Sequence, residues 1–125
     1  MVYDEINHLT IDPNLEIERI IVGSFMNETR RTVYPINEGS ASTGTIGFLD
    51  YSIESKTSDL RIILMGIEPN FKNEGYEYKL LETVEEKAKQ LKKKRIFYIP
   101  KGNDISCFLD RGFKLKENFL EKKLS

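Results

Sequence analysis

The sequence predicts one α/β domain built on a mixed, mostly antiparallel sheet, with a long helix crossing over between two central parallel strands. Three observations predict it. Residues 60–67 (LRIILMGI) are nearly all apolar, as expected of a strand buried on both faces at the centre of a sheet. From residue 76 the period becomes helical, with Tyr76, Leu80, Leu81, Val84, Ala88 and Leu91 on one side and Glu and Lys between them. Residues 95–100 (RIFYIP) then return to a short strand, and a strand, helix, strand unit of this length favours a parallel, right-handed crossover.

Composition bounds the rest. At 125 residues the chain fits a single domain, residues 1–125, large enough to bury a core without staples. Nineteen basic against twenty acidic side chains leave no broad positive field to draw in nucleic acid. One cysteine and one histidine exclude a disulfide framework and a cysteine-rich zinc site, so no metal centre is expected, and they suit a reducing cytoplasm. No apolar run approaches the roughly 20 residues of a membrane span, and residues 1–12 are too acidic for a signal peptide. The expectation is a cytoplasmic protein without a membrane anchor.

In chain order, residues 1–12 form a polar N-terminal region that contains His8. Residues 15–26 (LEIERIIVGSFM) read as a strand, flanked by Pro13-Asn14 and Asn27-Glu28. Residues 27–43 are polar, carry Pro35 and Gly39 and hold no period, so they read as a connector. Residues 45–55 form a strand that a turn at 55–59 joins to residues 60–67 as an antiparallel hairpin. Gly66 interrupts that strand, and a glycine there marks a bulge or a place where a ligand or another backbone comes close. Lys87, Lys89 and Lys92 to Lys94 crowd the last turns of the helix, where they complement its dipole as a solvated face. Asn103 or Asp104 caps a short helix over 105–110, and Gly112 closes it in the left-handed conformation. Residues 113–124 add one strand or a ragged pair.

With these parts in order, residues 44–113 resemble the GNAT N-acetyltransferase family. In that family the buried strand ends in Val-x-Pro, matched here by Ile67-Glu68-Pro69. An Arg/Gln-x-x-Gly-x-Gly/Ala turn follows, matched by Lys72-Asn73-Glu74-Gly75-Tyr76-Glu77, with Tyr78 next to it. The first N–H groups of a helix have no internal partners and can donate to a pyrophosphate. The resemblance implies acetyl-CoA as co-substrate, held by this turn. It implies that pantetheine threads between splayed parallel strands, with backbone amides at Met65, Gly66 and Ile67 polarising the thioester carbonyl. It places Phe108 where many relatives carry a proton-donating tyrosine, and Asn103 where an asparagine begins the short helix.

Two positions depart from the pattern: Glu77 puts charge and bulk where a small residue stands, and Phe108 cannot donate a proton. Deprotonating an amine acceptor calls for a carboxylate, acting directly or through water. Glu68, beside the expected acyl site, and Asp50, on the neighbouring strand, are the candidates. The leading reading is therefore transfer of an acetyl group from acetyl-CoA to an unidentified amine. The alternatives are a catalytically degenerate relative that binds CoA or a protein partner, and a small interaction domain that forms a homodimer through its C-terminal segment.

Overall fold

The computed structural model describes residues 3–25, 45–102 and 104–124, and within them seven strands join one sheet in the order β1-β2-β3-β4-β5-β7-β6. The strands are β1 (Tyr3–Asp12), β2 (Ile17–Phe25), β3 (Thr45–Ser52), β4 (Asp59–Ile67), β5 (Arg95–Tyr98), β6 (Lys114–Leu115) and β7 (Leu120–Lys123). Helix α1 (Tyr76–Gln90) connects β4 to β5, and helix α2 (Ser106–Asp110) follows β5. Among the neighbouring strand pairs only β4 and β5 run parallel, and all others are antiparallel. The mixed sheet with a helical crossover between its parallel strands is the predicted fold class.

Alternation decides which face each strand buries. Leu60 and Ile62 of β4, Ile96 and Tyr98 of β5, and Leu49 and Tyr51 of β3 meet Leu80, Leu81, Val84 and Ala88 of α1 in the main core. Helix α2 adds Cys107 and Phe108 to the same cluster, so both described helices contribute to one core on one side of the sheet. A smaller cluster of Ile21, Phe48, Leu9 and Leu64 lies apart from it.

Three expectations need correction. Residues 60–67 are not buried on both faces: only Leu60 and Ile62 are fully buried, Arg61 is exposed and Ile63 to Ile67 are half-buried, because the helices cover a single side. The polar N-terminal region contains β1, a strand that pairs along almost its whole length with β2. Strand β1 hid in the sequence because its apolar residues are few and serve two clusters: Ile6 packs on the main core and Leu9 on the small one. The basic run after α1 is not simply solvated, since Lys93 is buried and donates to the carbonyls of Glu54 and Thr57 at 2.6 and 2.8 Å, clipping the β3–β4 turn to the end of the helix. Arg95 is paired to Asp59 and Glu121.

The C-terminal segment is the ragged pair: β7 inserts beside β5, with β6 at the edge. Glu85 of α1 locks this side down, accepting from Arg111 at 3.0 and 3.1 Å and from Lys122 at 2.9 Å. Burial alone would raise the Glu85 carboxyl, but these cations hold it below its ordinary value. The connector at 27–43 lies outside the described residues.

Candidate functional site

The site begins with an irregularity in β4. Strand β3 steps from Asp50 to Tyr51 while its partners step from Leu64 to Ile62, so Ile63 is an extra residue, a β-bulge. On the other side of β4, the parallel ladder with β5 ends at Ile62–Tyr98. Strand β4 runs on to Ile67, so its last residues have no strand partner on the β5 side among the described residues. The bulge at Ile63 and the end of the parallel ladder at Ile62–Tyr98 therefore coincide.

The bulge lies three positions before the glycine expected to mark it. Gly66 pairs in register with Phe48, and a Cβ built on it would sit 2.7 Å from Cε1 of that ring. Gly66 is therefore required by cross-strand packing. Met65 and Ile67, on alternate positions, pack against the main core.

Beyond β4 the chain makes a one-turn 3-10 helix, Pro69–Phe71, and a polar turn into α1. Lys72, Asn73, Glu74 and Gly75 are exposed in this turn. Asn73 and Gly75 adopt positive φ values of 66° and 91°, and at Gly75, the residue that caps α1, such a conformation favours glycine. No side chain caps α1. Its first N–H groups are thus left for water or a ligand. Tyr76 turns inward against Phe71, ring to ring at 6.0 Å.

A cavity of about 250 Å³ lies at this helix start, lined by Asn73, Gly75, Glu77, Tyr78, Asp104, Ser106 and Cys107. It brings together parts of the predicted turn with α2, but its electrostatics are negative. The Ser106 hydroxyl and amide hold Asp104 below the usual carboxylate range. The Tyr78 hydroxyl donates to Asp110 at 2.5 Å, which raises its pKa and ties α1 to α2. Burial, reinforced by Glu77, pushes the Cys107 thiol up to about 11, so it is neither nucleophile nor anion near neutral pH.

The remaining candidates separate from this cavity. Phe108 is fully buried, stacked on Tyr98 with centroids 4.8 Å apart and edge-on to Phe113 at 5.3 Å, a core residue rather than part of the cavity wall. Asn103 lies outside the described residues; Asp104 makes the bonds at the start of α2. Glu68 accepts from the amide of Asn70 at 3.1 Å as cap of the 3-10 turn. Asp50 is neither a solvated edge charge nor a free base. It is wholly buried and held by Arg19 through two hydrogen bonds, 2.6 and 3.0 Å, with the guanidinium 4.3 Å from the centre of the Phe48 ring. Burial pushes the Asp50 carboxyl up and the Arg19 guanidinium opposes it. Ile63, Asp104 and Ser106 were not singled out for the site by sequence. A bulge at an isoleucine leaves no compositional mark, and a capping aspartate reads the same whether or not it also lines a cavity.

Parallel central strands that part at a bulge, followed by a glycine turn into the crossover helix, decide the architecture. The chain has the GNAT fold. A GNAT-family acetyltransferase from Staphylococcus aureus Mu50 superposes with a TM-score of 0.63 at 14% identity, over 92% of this chain and 72% of that one. An IAA acetyltransferase from Bacillus cereus ATCC 14579 gives 0.67 at 12% identity, over 99% of this chain and 100% of its own. The PaiA N-acetyltransferase from Thermoplasma acidophilum, solved in complex with coenzyme A, gives 0.61 at 19% identity over 89% of this chain, which spans only 63% of that protein. No family model and no curated relative matches the chain. Among the described residues no helix is long and apolar enough to cross a membrane.

Proposed function

We propose that this chain is an N-acetyltransferase of the GNAT type, moving an acetyl group from acetyl-CoA to an amine. The observation that carries the reading is the half-buried stretch of β4 after Ile62, which pairs with β3 but has no strand partner on its β5 side among the described residues. Amides fixed in such a place stabilise the oxygen charge that develops as a thioester is attacked. The binding of coenzyme A by the Thermoplasma protein of the same fold supports the assignment. Ile63 to Ile67 would hold the acyl and pantetheine end, and the Lys72 to Tyr78 turn the phosphates.

The fit of the residues is uneven. That stretch of β4 and the uncapped helix start suit the ligand, and Lys72 offers one positive charge. Glu77 and Asp104 oppose a pyrophosphate at the same cavity. Asp50 is committed to Arg19 and Glu68 to the 3-10 turn, so an acceptor amine would lose its proton through water or arrive neutral. These observations favour a second reading, a GNAT-fold protein that binds CoA or a partner without turnover.

Calorimetric or fluorescence melting separates the outcomes. A ligand at ~100 times its dissociation constant stabilises the folded state by about 2.7 kcal/mol. Acetyl-CoA should raise the melting temperature, and Glu77→Gly should enlarge that rise. A melting curve unmoved by acetyl-CoA and CoA would reject acetyl transfer and CoA binding alike, whereas binding without thiol release across an amine panel would select CoA binding without turnover.

A further inference from the structure

Away from the cavity at α1, a groove of about 340 Å³ opens on the side of the β4–β5 pair where Arg61 and Phe97 alternate with core-facing neighbours. Its floor is a single rung across four strands: Ile17 pairs with Ser52, Ser52 with Arg61, and Arg61 with Phe97. Its wall also includes Ile63, the bulge residue, so the groove ends where the central strands part. A molecule lying in it would reach, with one end, the stretch of β4 that lacks a partner on its β5 side among the described residues.

The charges in the groove differ in how they are engaged. Asp59 is neutralised by Arg95 through two hydrogen bonds at 2.8 and 3.1 Å. Arg61 carries no ion pair among the described residues, and its guanidinium lies 6.0 Å from the Phe97 ring centre. An exposed planar fork with no ion pair among the described residues is suited to bidentate capture of a carboxylate. Residues two apart on a strand are separated by about 6–7 Å, so an anion on Arg61 holds atoms a few bonds away at Ile63. Ile17 and the exposed Leu15 offer apolar surface along the same groove.

From this placement we infer that the acceptor is an amine carrying a carboxylate a few bonds from its nitrogen, an apolar amino acid being the simplest case. The inference rests on the proposed acetyl transfer. The carboxylate sits on Arg61, the side chain lies along Ile17 and Leu15, and the nitrogen points toward that stretch of β4. The nitrogen forms its bond to the acetyl carbon as the carbon–sulfur bond breaks. Of the two protons the ammonium loses, one ends on the leaving sulfur and the other in solvent.

Amide NMR spectra titrated with leucine and with leucinamide test this without any acetyl-CoA, so the result stands apart from whether the cofactor binds. Leucine should perturb Ser52, Arg61, Ile63 and Phe97 and bind roughly tenfold more tightly than leucinamide, a difference of about 1.4 kcal/mol. Arg61→Gln, at an exposed position, should abolish that difference, and Arg61→Lys should restore part of it. Equal affinity for the two ligands, perturbation elsewhere, or no saturable perturbation by leucine would overturn the inference. So would a preference that survives Arg61→Gln but is lost in Glu54→Gln, since Glu54 also lines the groove and would then be anchoring the amine.

Discussion

Asp50 separates a structural from a catalytic account of the central strands. In the structure its carboxylate and the Arg19 guanidinium are both completely buried and make two hydrogen bonds to each other across the β2–β3 ladder. Asp50→Ala would take the Asp50 charge and two hydrogen bonds away from the buried guanidinium, and breaking a buried pair by removing one partner costs about 3–5 kcal/mol. For a chain between the small and medium size classes, each kcal/mol lowers the melting temperature by roughly 3–5 °C, so the expected fall is roughly 10–25 °C. Asp50→Asn should fall in the same direction. The double variant Arg19→Met, Asp50→Leu removes both charges at similar volume and should recover part of that loss. Thermal melting followed by far-UV circular dichroism reads all four proteins. A melting temperature unchanged in Asp50→Asn, together with loss of acetyl transfer, would refute the structural assignment and restore Asp50 as a base.

Other consequences follow from single contacts. Gly66→Ala would bring a methyl against the Phe48 ring, on which the Arg19 guanidinium also packs; overpacking of this kind costs about 1–3 kcal/mol, and Phe48→Leu in the same chain should recover most of it in a denaturant melt. Glu85 has a folded-state pKa below its unfolded value because Arg111 and Lys122 outweigh its burial. Its contribution is therefore present above the unfolded pKa of about 4.3 and disappears as pH falls through the lower folded value; Glu85→Gln should flatten the stability–pH curve below that point while lowering stability at pH 7. Cys107, with its thiol at about 11 and its side chain buried, should resist iodoacetamide at pH 8 and react appreciably only as pH nears 11 or the chain unfolds; rapid labelling of the folded protein at pH 8 would contradict the packing of α2.

Much of the fold was legible because its central elements carry strong periodic signals. The apolar run of β4, the helical spacing of α1 and the brief return to strand at β5 identify the crossover. Gly112 at φ 94° closes α2 as its position predicts. Strand β1 was not legible because an edge strand with apolar residues divided between two clusters has no clean alternation. A bulge in β4 was anticipated, but its position was not. Gly66 attracted the bulge on general grounds, whereas the glycine answers to the Phe48 ring and the extra residue is Ile63. Charge explains the other differences. Sequence shows that Asp50, Lys93 and Arg95 are ionisable, but only the fold shows that Arg19, two turn carbonyls and Asp59 respectively engage them. The same holds for the groove, whose rung from Ile17 to Phe97 is assembled from four strands that are distant along the chain.

The central claim is that the opening between β4 and β5 receives the thioester end of acetyl-CoA while the α1 turn receives its phosphates. Amide NMR spectra recorded during titration with CoA test it residue by residue. Saturable shifts are expected at Ile63 to Ile67 and at Lys72 to Tyr78, with the Arg19–Asp50 rung unmoved. Saturation with shifts confined to other parts of the sheet, or no shift at all, would contradict it.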